Sequence, residues 1–214
     1  MADDAAERYR HSQGPWEPAQ VTRFFVELYR SARSAEDFVI QEYIEPRVAG
    51  ASVRARDFLL SEGVSGAAER MLRGGGFGDM VASYRGSLAW RVSRDAVHVS
   101  QAEALTEAHR SIPTEENALW EWIVDADGRV FHVDRKPLEA GFLQEVPHLA
   151  PPAHWLLGRS TKPREAELTL PDTSIRNLAM LREPAVVRIA RGSPLAHLCH
   201  EAVRRGCTVV LAVQ

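Results

Sequence analysis

The chain has 214 residues, which suits one large domain or two small ones. Its formal net charge of -3 provides no overall attraction to nucleic acid or to an anionic membrane. The two cysteines, Cys199 and Cys207, provide neither a disulfide framework nor the spacing of a metal finger. No apolar run is long enough to span a bilayer, and the polar start of the chain has no signal-peptide core. We therefore expect a cytoplasmic protein without nucleic-acid or membrane partners.

The first half of the chain predicts a helix and several strands. Apolar residues recur at helical spacing between Pro18 and Ala35. The segment Phe38–Ile44 is rich in β-branched and aromatic residues and predicts a buried strand. One strand or two short ones are expected over Ala51–Leu60, and Glu62–Met71 is compatible with a helix. Weak alternation over Ser87–Val99 favours a hairpin.

The second half predicts a hairpin and then a small unit with strands and one helix. Leu119–Val133 contains two strand-like runs around an Asp-Gly turn, the clearest hairpin in the chain. A proline-rich stretch follows and predicts a linker. Strands are expected at Ala166–Leu170, around Ala185–Ile189 and at Thr208–Val213, with a helix before the last. The pattern as a whole predicts a mixed α+β or α/β fold.

A histidine near the C-terminus falls at the start of that helix. Ser193 is a favourable N-cap, Pro194 suits the first helical position, and Gly206 is a natural C-cap. His197 then lies in the first turn, where free N–H groups and the helix dipole stabilise anions. An imidazole in this position could accept a phosphoryl group. An ordinary polar histidine near a helix start explains the same spacing.

Two further patterns suit phosphate and metal chemistry. Glu121 and Asp134 lie on the two arms of the hairpin, which brings carboxylates of adjacent strands close together. Such a pair suits Mg²⁺, although the spacing by itself favours two rim carboxylates without a ligand. Gly76 and Gly78 belong to a glycine-rich run that allows close backbone approach to a ligand, or forms a surface loop.

The C-terminal segment GSPLAHLCHEAVRRGC resembles the swivelling phosphohistidine domain of phosphoenolpyruvate synthase, pyruvate phosphate dikinase and rifampicin phosphotransferase. The interval from His197 to Gly206 has the family's length. Two positions depart from its pattern: Ala196 stands where Ser or Thr is usual, and the Gly-x-Pro after the helix ends in Thr208. The resemblance implies that His197 is the phosphoryl acceptor.

The hairpin resembles the ATP-grasp hairpin of the same family. Glu121 matches the family's metal-binding Glu, Asp134 replaces a Gln and remains an oxygen ligand, and Lys136 replaces an Arg. Lys136 is therefore implied as a catalytic cation. Gly76 and Gly78 resemble the family's Gly-x-Gly segment and would face phosphate. The segment Phe38–Ile44 resembles the adenine-binding hinge strand, and the residues implied to line it are Gln41, Glu42, Tyr43 and Ile44.

The resemblance implies an architecture and an activity. A polar segment and helix over 1–37 would precede the C-terminal lobe of an ATP-grasp domain over 38–140, with an antiparallel sheet. A proline-rich linker over 141–165 would lead to a truncated swivelling phosphohistidine domain over 166–214. Such a chain would use ATP and Mg²⁺ to transfer a phosphoryl group through His197 to a small-molecule acceptor. Because no first ATP-grasp lobe is recognisable, a partner chain or a homo-oligomer is expected to complete the nucleotide site.

Two alternatives remain open from the sequence. The chain could be a noncatalytic module, derived from such an enzyme, that binds a nucleotide or a metabolite. It could also be the remnant of an ATP-grasp ligase in which His197 has no role.

Overall fold

The computed structural model describes residues 18–20, 22–23, 26, 44–93, 99–115, 117–143, 150–158, 166–181 and 185–212. Met1–Ile44 and Glu45–Gln214 form two separate compact units. In the first unit, the described residues between 18 and 26 are helical, within the predicted helix. The predicted strand Phe38–Ile44 lies outside the described residues except for Ile44, which has an irregular conformation.

The larger unit is built on a six-stranded antiparallel sheet in the order β4-β3-β2-β1-β5-β6. Tight turns with a positive φ of 51° at Arg56 and at Arg85 join β1 to β2 and β3 to β4. The hairpin predicted around the Asp-Gly turn is confirmed as β5 and β6. The strands are β1 (Val48–Ala55), β2 (Phe58–Ser65), β3 (Asp79–Tyr84), β4 (Ser87–Val92), β5 (Ala118–Val124) and β6 (Val130–Pro137).

Two predictions for this region are wrong. Strand β2 continues to Ser65, so the helix considered for Glu62–Met71 is reduced to α1 (Glu69–Leu72). Residues Phe58–Gly63 are buried without interruption because both faces of β2 are covered, and such a run lacks the alternation of a half-exposed strand. The hairpin expected within Ser87–Val99 is instead the single strand β4, which ends at Val92 and pairs with β3, and Val99 begins a helix.

That helix, α2 (Val99–Ser111), covers one face of the large sheet. Its buried residues Ala104, Leu105 and Ala108 recur at helical spacing and pack in one cluster with Trp122 and other sheet residues. Its three Ala, two Glu and one Gln are good helix formers, and composition and spacing together could have revealed the helix in the sequence. Among the described helices, none is long and apolar enough to cross a membrane.

A second, four-stranded sheet covers the other face and shares its core. β8, β9 and β10 are parallel, and β7 pairs antiparallel with β10. Trp155 of β7 packs against Trp90 of β4, with ring centroids 6.2 Å apart. The linker predicted over 141–165 therefore contains a strand, and one core joins the regions predicted as separate domains. The elements are β7 (His154–Leu157), β8 (Glu167–Leu170), β9 (Val186–Ile189), α3 (His197–Arg204) and β10 (Thr208–Ala212).

A buried polar network fastens α2 to the sheet. His109 of α2 lies with Nδ1 2.8 Å from the hydroxyl of Ser61 and Nε2 3.0 Å from that of Ser83. The Ser61 and Ser52 hydroxyls are hydrogen-bonded, and the indole N–H of Trp122 donates to Ser52. A histidine enclosed in this way is held in its neutral form, since nothing acidic faces it in this network.

We predict that His109→Gln flattens the pH dependence of stability. Burial, helped by the charges of Arg54 and Arg110, lowers the pKa of His109 from 6.5 to about 4. The unfolded chain therefore binds this proton at higher pH than the folded chain, and the free energy of unfolding falls as pH drops from about 6.5 to about 4. The loss is about 3 kcal/mol at most.

Urea unfolding across this pH range measures the effect, with the exposed residue changed in His154→Gln as the control. Wild type and the control should lose stability in parallel, whereas His109→Gln should lose less. Equal slopes for all three proteins would contradict the assignment.

Candidate functional site

The strand register places three carboxylates in one row across the large sheet. Ala51 of β1 pairs with Glu62 on one side and with Glu121 on the other, and Glu121 pairs with Asp134 of β6. Cross-strand partners share a face of the sheet, and Ala51 belongs to the core beneath the second sheet. This carboxylate row, made of Glu62, Glu121 and Asp134, therefore lies on the face that α3 and the second sheet cover.

Four residues predicted from the sequence meet at one end of this row. The ammonium of Lys136 hydrogen-bonds to Glu121 and lies 3.1 Å from Asp134 Oδ2. His197 Nε2 lies 3.0 Å from Glu121 Oε1 and 3.1 Å from Lys136 Nζ. His197 is separated along the chain by 76 residues from Glu121 and by 61 from Lys136. Folding thus assembles Glu121, Asp134, Lys136 and His197 into what we call the four-residue cluster.

The four-residue cluster is partly shielded from water but not sealed. The side chains of Glu121 and His197 are 17% and 19% exposed, and that of Lys136 is 29% exposed. Burial by itself raises the pKa of Glu121, but the hydrogen bond from His197 and the charge of Lys136 outweigh it and lower the pKa to about 2. Glu121 is therefore ionised at neutral pH and is a weak base.

The imidazole of His197 has two alternative hydrogen-bonding states. If Nε2 carries a proton, it donates to Glu121; if Nε2 carries a lone pair, it accepts from Lys136. One ring nitrogen cannot do both at once. Only the second state leaves a nucleophilic lone pair on the nitrogen that faces the cluster.

The helix that carries this histidine begins later than predicted. Ala196 is the N-cap and has an extended conformation, so His197 is the first residue of α3. The hydroxyl of Ser193 instead accepts the backbone N–H of Leu195, and the Ser193 carbonyl accepts that of Ala196. Ser193 therefore stabilises the turn before the helix, and Pro194 lies within that turn. The predicted placement of His197 in the first helical turn is confirmed.

The predicted phosphate-facing glycines use their N–H groups inside the chain. Gly76 donates to the Arg70 carbonyl at 2.9 Å, and Gly78 donates to Glu62 Oε1 at 2.7 Å. A side chain on Gly78 would bring a Cβ within 2.2 Å of the Gly63 carbonyl oxygen, so close approach does require glycine here. Gly78 thus lies close to β2 and not to a ligand. Both the Gly76 N–H and the Gly78 N–H are used in hydrogen bonds within the chain.

The predicted nucleotide hinge is not among the described parts of the chain. Gln41, Glu42 and Tyr43 lie outside the described residues, and Ile44 is partly buried just ahead of β1. A cleft of about 590 Å³ runs along α2, on the opposite face of the large sheet from the carboxylate row, and none of the predicted site residues lines it. Its lining includes Arg47, Arg91, Arg110, Glu103 and Glu107.

Glu121 and Asp134 fit Mg²⁺ as a partial set of ligands. Mg²⁺ is commonly held by one or two carboxylates, with phosphate oxygens and water completing the octahedron. Within the described ranges, no group of three or more His, Cys, Asp or Glu side chains is arranged to hold a metal ion. Lys136 forms ion pairs with both carboxylates, so both candidate ligands already have a cationic partner. An ion could bind only if this ammonium moved aside.

Sequence reasoning missed Glu62 and its contact with Ser193, which was predicted only as an N-cap. Both are completely buried, and the Ser193 hydroxyl donates to Glu62 Oε2. The sequence carries one sign of this contact, a single carboxylate in the otherwise apolar and small run FLLSEGV. Its partner lies 131 residues away, so no local pattern connects the two.

We predict that Glu121→Gln reduces the loss of stability in acid. Because the pKa of Glu121 is lowered from 4.5 to about 2 in the folded chain, its stabilising effect is complete above about pH 4.5 and is lost as pH falls to about 2. The loss is about 3 kcal/mol at most. Chemical unfolding over this pH range should show a shallower decline for Glu121→Gln than for wild type or for the exposed-site control Glu103→Gln. A decline in Glu121→Gln as steep as in wild type would be the contrary result.

No protein-family model matches the chain, and no curated protein matches it in sequence.

Proposed function

We propose that the chain is an ATP-dependent phosphotransferase, or a component of one, in which His197 accepts the phosphoryl group. One observation carries the proposal: His197 Nε2 lies 3.0 Å from Glu121 and 3.1 Å from Lys136. The motif resemblance assigns these residues to the two halves of a transfer site, and they are distant in sequence. In this proposal a partner chain or a second copy supplies the rest of the nucleotide site, and the acceptor is a small molecule.

The transfer to His197 is a displacement at the γ-phosphorus of ATP. The Nε2 lone pair forms the N–P bond while the bond from phosphorus to the bridging oxygen breaks, and that electron pair leaves with ADP. Because Glu121 is a weak base, the reacting form is the ring with its proton on Nδ1. In the second transfer, an acceptor hydroxyl oxygen forms the new bond to phosphorus, its proton passes to water, and the N–P electron pair returns to Nε2.

The remaining cluster residues would neutralise the charge of the transferring phosphoryl group. Lys136 would leave its carboxylate partners and neutralise the phosphate, and Glu121 with Asp134 would hold Mg²⁺. When bound, Mg²⁺ supplies additional neutralisation of the transferring group. The first turn of α3 adds the favourable end of a helix dipole beside the phosphorylated ring.

A noncatalytic nucleotide-binding module is a second candidate, and the position of Lys136 favours it. An ammonium that bonds to both carboxylates already balances the charge that a metal would balance. A chain that needs no metal would keep this ion pair and bind nucleotide without transfer. Nucleotide binding without phosphohistidine would support this candidate.

We predict that incubation with γ-labelled ATP and Mg²⁺ places an acid-labile, base-stable label on wild type and none on His197→Asn. The variant removes the acceptor nitrogen and leaves Glu121 and Lys136 in place. The exposed-site variant His154→Asn serves as the control and should be labelled like wild type. Label retained by His197→Asn would place the acceptor elsewhere, and ATP consumption unaffected by this change would favour a ligase remnant. A series of protein concentrations reveals whether a second copy completes the site.

We also predict that Glu121→Gln and Asp134→Asn each weaken Mg-ATP binding by about tenfold, because each removes a charged oxygen ligand. Calorimetric titration measures the affinity. The control is Glu115→Gln, which removes an exposed carboxylate that pairs with Arg135 outside the cluster. Unchanged affinity in both cluster variants would contradict the assignment of Glu121 and Asp134 as metal ligands.

A further inference from the structure

The turn that presents His197 is held at both ends by the carboxylate row. At one end His197 contacts Glu121, and at the other the Ser193 hydroxyl donates to Glu62. Glu62 and Glu121 are the two cross-strand partners of Ala51, so their strands are about 10 Å apart. A segment of five residues therefore spans two fixed points on a rigid sheet.

The Glu62 end is completely buried, and its carboxylate is shared between two loops. Glu62 and Ser193 both have 0% exposure. Oε1 of Glu62 accepts the Gly78 N–H at 2.7 Å, while Oε2 accepts the Ser193 hydroxyl. Charge-assisted hydrogen bonds to a buried carboxylate are among the strong ones, and leaving such a group without a partner is costly. Glu62 thus fixes Ser193 relative to the glycine-rich loop.

Hydrogen bonds link Ser193 to the start of α3. Its hydroxyl accepts the Leu195 N–H at 3.0 Å, and its carbonyl accepts the Ala196 N–H at 3.2 Å. The Cys199 thiol, one turn into the helix, lies 3.6 Å from the same carbonyl. Movement of Ser193 would therefore shift the turn from which the His197 ring projects.

We infer that Glu62 and Ser193 are positioning residues that hold the His197 imidazole against Glu121 and Lys136. They act through the turn and do not touch the reacting atoms. The inference deepens the proposed function and rests on it for its catalytic consequence, but the position of the ring can be tested without phosphoryl transfer.

The test compares Ser193→Ala with Ser61→Ala in the full chain. Both changes remove a hydroxyl from a serine with 0% exposure, and the Ser61 hydroxyl lies in the network beneath α2 on the opposite face of the sheet. The readouts are the ring chemical shifts of His197 in histidine-labelled protein and the rate at which diethyl pyrocarbonate modifies His197, measured by mass spectrometry. Ser193→Ala should change the ring shifts and raise the modification rate by about fivefold, the equivalent of one buried hydrogen bond. Ser61→Ala should leave both at wild-type values.

A second variant keeps the test decisive if Ser193→Ala folds poorly. Glu62→Gln preserves size and shape, replaces one of the two accepting oxygens by an amide nitrogen that can only donate, and should change the same two readouts in the same direction. Wild-type values in Glu62→Gln, or equal changes in both serine variants, would overturn the inference. Changed ring readouts in a protein that forms no phosphohistidine would uphold the positioning role and reject the proposed function.

Discussion

Antiparallel strand pairing places carboxylates on a covered face of the large sheet. The packing of this protein depends on supplying these carboxylates with hydrogen-bond donors or cations. Glu62 and Glu121 flank one alanine on the face of the large sheet beneath the second sheet. A carboxylate removed from water is unfavourable unless hydrogen-bond donors or cations meet it. Ser193 meets Glu62, and Lys136 and His197 meet Glu121. The requirement that stabilises this interface is therefore the same one that assembles the four-residue cluster.

The charge balance of the cluster bears on what it can bind. With a neutral imidazole, two carboxylates and one ammonium leave a net negative charge. A phosphate group alone would be repelled by it, because like charges in a partly shielded site interact strongly. A phosphate that arrives with a divalent cation would satisfy both carboxylates and release Lys136 toward the phosphate oxygens. In the proposed reaction, this charge balance favours a phosphate that arrives with a divalent cation over a free phosphate.

Short sequence patterns correctly predicted the elements that form between neighbouring residues, namely one hairpin and one helix start. The Asp-Gly turn identified β5 and β6, and from that hairpin the proximity of Glu121 and Asp134 follows directly. Spacing alone placed His197 at a helix start. These predictions needed only neighbours along the chain.

Other features depend on contacts between distant segments, and the sequence does not show them. Strand β2 is buried on both faces, so its apolar run has no periodicity that separates strand from helix. Strand β7 has four residues and pairs with β10, which comes more than 50 residues later. The partnership of Glu62 and Ser193 is likewise invisible until two sheets pack together.

Strand β7 constrains how the phosphoryl group of the proposed reaction could leave His197. Its antiparallel ladder with β10 and the packing of Trp155 on Trp90 tie the small sheet to the large one. Carrying the imidazole to a remote acceptor would break that aromatic contact and expose the shared core to water. The free-energy cost is roughly 25 cal/mol for every Å² of apolar surface exposed. If His197 carries a phosphoryl group as proposed, a histidine anchored in this way would not move between two distant sites. In the proposed reaction the acceptor would therefore have to diffuse to the ring, and both half-reactions would take place at the same histidine in turn.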